Sequence, residues 1–364
     1  MLNETRLKET FLQLVQIDSV SGQEAKLAGF LKQELQKLGL EVWEDQAGQI
    51  LNTSCGNLLA RLPGTKPGQP LLLAAHMDTV EPGQNIKPCL ESGRIKSDGR
   101  TVLGSDDKAG VAIMLEIARS LTEKKQPHVT LELAFTVCEE IGLLGARHLD
   151  LDKLQARQGY TLDHGQPIGE LVIAAPFYQR FAAVIKGRSA HAGLNPEDGI
   201  NAIAVAAQAI SRMKLGRLDS ETTANIGIIS GGKATNIIPD SVLIEGEVRS
   251  LDQLKFKQKL QEMLDILQNT VKENQAELQL NLKSANSGFS LNPNCPVCQL
   301  ARQAAESLQI KFQPVKSNGG CDANILNGLG LEMANLAVGM QEVHTTQEWI
   351  AQAEPIAAAK LAAK

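Results

Sequence analysis

Five stretches of this chain place imidazole or carboxylate groups directly beside runs of apolar residues. Leu71-Leu72-Leu73-Ala74-Ala75 leads into His76-Met77-Asp78, and Leu131 to Val137 leads into Cys138-Glu139-Glu140. Tyr160-Thr161-Leu162 leads into Asp163-His164, and Asn335 to Gly339 leads into a loop carrying His344. The fifth is the loop Gly104-Ser105-Asp106-Asp107-Lys108, which opens a helix. In open α/β sheets, sites form at the carboxyl ends of strands. One such Asp or His alone is most simply a cap or a solvated loop residue. Four of them at or after strand ends, with a fifth at a helix start, make a shared site the better reading.

The residue types point to a metal. Two imidazoles with several carboxylates form a nitrogen and oxygen donor set, in which zinc takes imidazole at ~2.0–2.1 Å and carboxylate at ~2.0–2.2 Å. Two cations about 3.5–4 Å apart can share one bridging carboxylate, polarise a carbonyl and deprotonate a water held between them. Such chemistry also needs a general base that is not a ligand. Adjacent Glu139 and Glu140 suit it, one binding metal and the other handling the water proton. In His76-x-Asp78, Asp78 is placed to take the second ring N–H of a metal-bound His76 and so fix its orientation.

The elements that would position these groups follow from periodicity. Residues 5–16 and 22–39 have helical spacing of apolar positions. Strand-like Leu71–Ala75, a helix from Lys108 to Leu121, and strands Val129–Val137 and Gly159–Leu162 then alternate as in a sheet with parallel pairs. The middle differs. Strand Tyr178–Lys186, helix Ile200–Met213, strands Thr223–Ser230 and Ser241–Arg249, helix Leu251–Glu273 and strand Glu277–Leu282 run in the order βαββαβ, the split-βαβ arrangement. The α/β pattern resumes with helix Pro296–Leu308, a Gly-rich turn into a helix over Asn318–Asn327, strand Met333–Val338 and an Ala-rich helix over Gln347–Lys364. We therefore expect a discontinuous metal-binding domain (1–177 and 286–364) and an inserted lid and dimerisation domain (178–285).

Composition narrows the function classes. The chain has 364 residues, 43% hydrophobic and 21% charged, with net charge −5. Such a length favours two domains and a sizeable core. The acidic balance gives no footprint for nucleic acid or an anionic membrane surface. No apolar run approaches the ~20 residues of a membrane span, and the first residues carry no apolar stretch after basic ones. The six cysteines lack a framework spacing and read as reduced thiols, which leads us to expect a cytoplasmic protein.

At these residues the sequence resembles the M20 metallopeptidase family, in its peptidase T-like branch. The matching motifs are Ala75-His76-Met77-Asp78-Thr79-Val80, Gly104 to Gly110, Thr136 to Gly142, Asp163, Gly187-Arg188-Ser189-Ala190-His191-Ala192-Gly193 and His344-Thr345. The resemblance implies an α/β fold: a zinc-exopeptidase-like mixed sheet with helices on both faces, plus an inserted ferredoxin-like lid. It implies two zinc ions, with cobalt or manganese as substitutes. His76 and Asp163 would hold one ion, Glu140 and His344 the other, with Asp106 bridging. Glu139 would be the general base, and Asp78 would support His76. It further implies a homodimer formed through the lid, with His191 steadying the oxyanion in the partner's site and Asn236 and Arg249 binding polar ends of the substrate. The implied reaction is hydrolysis of an amide bond in di- or tripeptides. The alternative is an aminoacylase or other M20 amidohydrolase acting on N-acyl or N-carbamoyl amino acids.

Other motifs read more plainly. Gly227 to Ala234 lacks the Ser or Thr that a phosphate-binding loop needs after Lys233, so it reads as a turn between strands. Cys295-Pro296-Val297-Cys298 is a lone CxxC at a helix start; it reads as structural, with a redox role the sharper alternative. A scaffold that kept the fold without catalysis would be expected to have lost some of the seven core residues, and all seven are present.

Overall fold

The structure, a computed structural model, describes residues 2–165 and 167–364; Met1 and Gln166 lie outside the described residues. The chain forms two compact units, residues 1–174 with 290–364 and residues 175–289.

The first unit is built on a nine-stranded mixed sheet. At its centre Leu131–Thr136, Leu71–His76, Gln158–His164 and Glu332–Ala337 run parallel in that order. Parallel strands covered on both faces read as continuous apolar runs rather than alternating ones. That is why Leu131–Thr136 is buried at every position. Antiparallel strands continue the sheet outward on both sides, Leu58–Leu62 against Leu131–Thr136 and Glu170–Ala175 against Glu332–Ala337. Helix Ser105–Lys124 packs on strands Leu71–His76 and Gln158–His164, and helix Asp322–Gly328 on Gln158–His164 and Glu332–Ala337. Gly110 permits the first of these packings: a Cβ there would stand 2.5 Å from the Leu162 carbonyl oxygen and 2.6 Å from an Asp107 carboxylate oxygen. The helix can therefore lie close against the strand that delivers Asp163.

The carboxyl-terminal stretch departs from the expected helix over Gln347–Lys364. Trp349–Ala351 is a strand paired with Arg94–Lys96, and the helix spans only Glu354–Ala362. Pro355 at the start of that helix, whose missing N–H costs nothing there, marks the boundary.

The second unit is a five-stranded antiparallel sheet with two helices, Ala202–Arg212 and Gln253–Glu273, packed on it. Strand Phe177–Lys186 lies between Ser241–Ser250 and Glu277–Asn286, and Thr222–Gly231 lies outside Ser241–Ser250. This is the ferredoxin-like order. Ser241–Ser250 alternates strictly between buried and half-buried residues, as a strand with one face on a core must. Phe181, Ile185, Val205, Ile244, Met263 and Leu267 fill that core. The side chains of Asn201 and Asp252 cap the two helices, satisfying first-turn N–H groups that have no partner within the helix. Among the described residues no helix is long and apolar enough to cross a membrane.

Candidate active site

The parallel strands of the first unit deliver their polar groups to one edge of the sheet. His76 is the last residue of its strand, Glu139 and Glu140 follow Leu131–Thr136, and Asp163 lies at the end of Gln158–His164. His76 Nε2 stands 2.9 Å from Asp106 Oδ1 and 3.9 Å from Asp163 Oδ1. His344 Nε2 stands 3.2 Å from Asp106 Oδ2 and 3.0 Å from Glu140 Oε2. Asp106 thus touches both imidazoles, one through each carboxylate oxygen. Two groups, His76 with Asp106 and Glu140, and His76 with Asp107 and Asp163, each have ligand atoms within 4.8 Å of one another. All five residues expected to hold metal therefore meet. Asp107, which the sequence motif includes without a role, joins them.

A lattice of hydrogen bonds holds the groups in place. Asp78 accepts from Ser21 Oγ at 2.6 Å and from the backbone N–H groups of Glu139 at 2.9 Å and Glu140 at 3.1 Å. Its carboxylate stands 3.5 Å from His76 Nδ1, while its backbone oxygen lies 2.9 Å from that nitrogen. Asp78 therefore ties His76 to the Glu139-Glu140 turn. The Asp163 N–H donates to Asn335 Oδ1, and Asn335 Nδ2 donates to the Asp163 carbonyl, both at 2.9 Å. The buried carboxylate of Glu348 accepts from the backbone N–H of Leu103, Gly104 and Asp106 and from the Ser105 hydroxyl, at 2.5–3.1 Å. Asp106 and Asp107 have non-helical dihedrals within helix Ser105–Lys124, so this acceptor set replaces a regular helical start.

The electrostatics are those of a cation site. Burial pushes the Glu139 and Asp163 carboxyls well above the usual range, and neighbouring carboxylates add to the effect. Asp107 is likewise raised by burial and by Asp163. Burial would raise Asp106 too, but hydrogen bonds from His344 and His76 outweigh it and hold that carboxyl below its usual range. Those same bonds, to Asp106 and Glu140, push His344 up to about 10. Five carboxylates thus crowd around two imidazoles. Glu140 Oε1 and Asp107 Oδ2 are buried with no hydrogen-bond partner. A buried carboxylate oxygen without a partner is costly, and hard or borderline divalent cations take this donor set. The residues fit a metal pair.

The second unit carries the other expected groups. His191 and Asn236 lie on neighbouring loops joined by an Ala192 N–H to Asn236 carbonyl bond of 3.0 Å and a bridge between His191 and Ile237. His191 Nδ1 accepts from the Gly193 and Leu194 N–H groups, both at 3.1 Å. An accepting Nδ1 puts the ring proton on Nε2, which makes the exposed side a donor. Arg249 Nε bonds Glu247 at 2.9 Å, and its guanidinium lies 4.6 Å from the Tyr178 ring centroid.

Sequence reading missed Glu348 and Asp322. Asp322 is buried, accepts from Thr136 Oγ1, and is pushed by burial up to about 6. Its available signal was the Gly319-Gly320 turn opening a helix. Glu348 had only its place four residues after His344.

Lys108 supplies a pH prediction. It is fully buried, its Nζ donates to the Ile17 carbonyl at 2.7 Å, and burial pushes it down to about 7. Unfolded lysine titrates near ~10.4. Between that value and about 7 the unfolded chain holds a proton that the folded chain lacks, so the stability penalty grows as pH falls through this window and is constant below it. In metal-free protein, urea unfolding of Lys108→Met should gain on wild type as pH is lowered from about 10 to about 7. A pH-independent difference would show that the amine is not depressed.

Comparison with known proteins places the chain. The peptidase dimerisation domain model matches residues 178–275, and the peptidase family M28 model matches residues 57–164. An aminopeptidase PepT from Bacillus cereus is 43% identical, with 99% of this chain and 97% of that one covered and a TM-score of 0.94. A tripeptidase from Staphylococcus aureus is 40% identical, with 100% and 97% covered and a TM-score of 0.96. Peptidase T from Escherichia coli is 27% identical, with 95% of this chain and 94% of that protein covered. With a strand-end cluster built for metal and a dimerisation unit of matching fold, the chain belongs to the M20 metallopeptidase family, on its peptidase T-like side, and is a hydrolase of peptide or related C–N bonds.

Proposed function

We propose that this protein is a two-metal aminopeptidase that removes the N-terminal residue from di- or tripeptides, and that its physiological ions are zinc. The observation that carries this reading is the shared contact of Asp106 with His76 and His344 through its two carboxylate oxygens. His76 and Asp163 would hold one ion, Glu140 and His344 the other, and Asp106 both. Asp107, which shares a potential ligand group with His76 and Asp163, would be available to the first. When bound, the ions polarise the scissile carbonyl and acidify water. Glu139 takes a proton from the attacking water on its carboxylate and returns it to the leaving amine nitrogen. Asp78 fixes the turn that carries Glu139 and the ring of His76. In the dimer, His191 of one protomer would offer its Nε2–H to the oxyanion in its partner's site, a contribution worth ~10²–10³ in kcat for comparable donors. Asn236 and Arg249 bind the polar ends of the substrate, with Glu247 holding the guanidinium in place.

The dimerisation domain supports a homodimer, and the six free cysteines suit a reducing compartment. The test is a substrate panel. Chelated protein should be inactive and recover with zinc, cobalt or manganese, and the recovered protein should release free N-terminal residues from di- and tripeptides. Cleavage confined to N-acyl or N-carbamoyl amino acids would transfer the assignment to an aminoacylase. Full activity after exhaustive chelation would sink the metal mechanism.

A further inference from the structure

We propose that Cys295 and Cys298 form a redox-active dithiol, which closes to an intrachain disulfide by exchange with small-molecule disulfides of the oxidised-glutathione type. The two residues bracket the first turn of helix Pro296–Ser307, Cys295 as its N-cap and Cys298 one turn in. The Cys295 thiol donates to Cys298 Sγ across 3.3 Å. A disulfide needs ~2.05 Å, so little movement separates the contact from the bond. Cys295 is partly exposed and Cys298 is buried. A small disulfide can therefore reach the first sulfur but not the second. Cys295 is therefore the sulfur placed to attack first. Burial pushes the Cys298 thiol up to about 12, which keeps it a protonated reserve until its neighbour has reacted.

The exchange balances in two steps. Cys295 thiolate attacks one sulfur of the small disulfide, forming a mixed disulfide and expelling one small thiolate. Cys298 then gives its proton to solvent and attacks Cys295 Sγ, and the second small thiolate leaves. Two electrons pass from the protein dithiol to the small disulfide, leaving two small thiols. The turn that holds the cysteines is anchored on both flanks. Tyr160 Oη donates to the Val297 carbonyl at 2.6 Å, and the Val297 N–H donates to Glu332 Oε1 at 3.3 Å. Those residues lie on strands Gln158–His164 and Glu332–Ala337, so the backbone between the two cysteines is tied to the central sheet.

The test uses metal-loaded protein in a Cys89→Ser background, because Cys89 is an exposed thiol. The protein is equilibrated over a series of reduced-to-oxidised glutathione ratios, quenched with acid, alkylated after unfolding and mapped by peptide mass. The expected result is a peptide carrying Cys295 and Cys298 that escapes alkylation, is two hydrogens lighter, and reverts on reduction. Cys298→Ala should instead trap glutathione on Cys295, and Cys295→Ser should leave Cys298 free to alkylate. Should Cys298→Ala fail to fold, the wild-type map still decides. Two alkylated thiols at every ratio would overturn the proposal, as would a wild-type mixed disulfide that never closes.

Discussion

Replacing Glu139 with alanine should lower kcat by about a hundred- to ten-thousand-fold while metal binding is retained. The two halves of this expectation rest on different observations. The activity loss follows from the role we propose for Glu139 as proton carrier, and general acid–base groups of this kind contribute such factors. Metal retention follows from geometry: His76, Asp106, Asp107, Glu140 and Asp163 form the two potential ligand groups, and Glu139 is in neither. The backbone N–H of Glu139, which Asp78 holds, is untouched by the substitution. Glu139→Gln separates shape from protonation, since the amide fills the same space but cannot accept and return a proton. Metal content by mass spectrometry and kcat on a tripeptide decide the matter. Wild-type turnover in either variant would remove Glu139 from the base role, and a metal-depleted variant would make it a ligand.

How far this could be read from the sequence depended on where each signal lies. The apolar runs 71–75 and 131–137 announced buried parallel strands because both of their faces are covered. Ser241–Ser250 was legible as a strand, but its strict alternation between buried and half-buried residues is set by packing on the second unit's core. Periodicity did not resolve Trp349–Ala351, whose strand character comes from pairing with Arg94–Lys96 far away in the chain. Its neighbours are rich in alanine, a strong helix former, and local propensity therefore carried the expected helix too far forward. For the site, residue type and strand-end position picked out groups that the structure brings together. The division of ligands between two ions rested on family resemblance, because spacing along a chain cannot say which oxygen of Asp106 faces which imidazole. Asn335 was visible only as part of a strand, and its two bonds to the Asp163 backbone depend on the register between two parallel strands.

Glu348 leads to the second large effect. Glu348→Ala should lower kcat/KM about a hundredfold and destabilise the metal-free protein by several kcal/mol, on the basis of ~1–3 kcal/mol for each buried group left without a partner. The carboxylate accepts four hydrogen bonds from four consecutive residues, 103–106, and the last of these donors is the backbone of Asp106. It also sits four residues after His344. One side chain therefore couples the segment carrying the carboxylate shared by both imidazoles to the segment carrying one of those imidazoles. Without it, water can satisfy some of the donors, but nothing fixes Asp106 relative to His344, and a displacement of about 1 Å in such a site can cost ~10²-fold. The loss should fall hardest on the ion that His344 and Glu140 would share, so a titration should show one tight and one weakened site in place of two tight ones. Glu348→Gln sharpens the test: its carbonyl oxygen can serve one pair of donors, but its NH₂ group must face the other pair, so it should fall between wild type and alanine in both metal affinity and urea midpoint. A Glu348→Ala protein that binds two ions with wild-type affinity and turns over normally would show that the 103–106 segment holds its shape unaided.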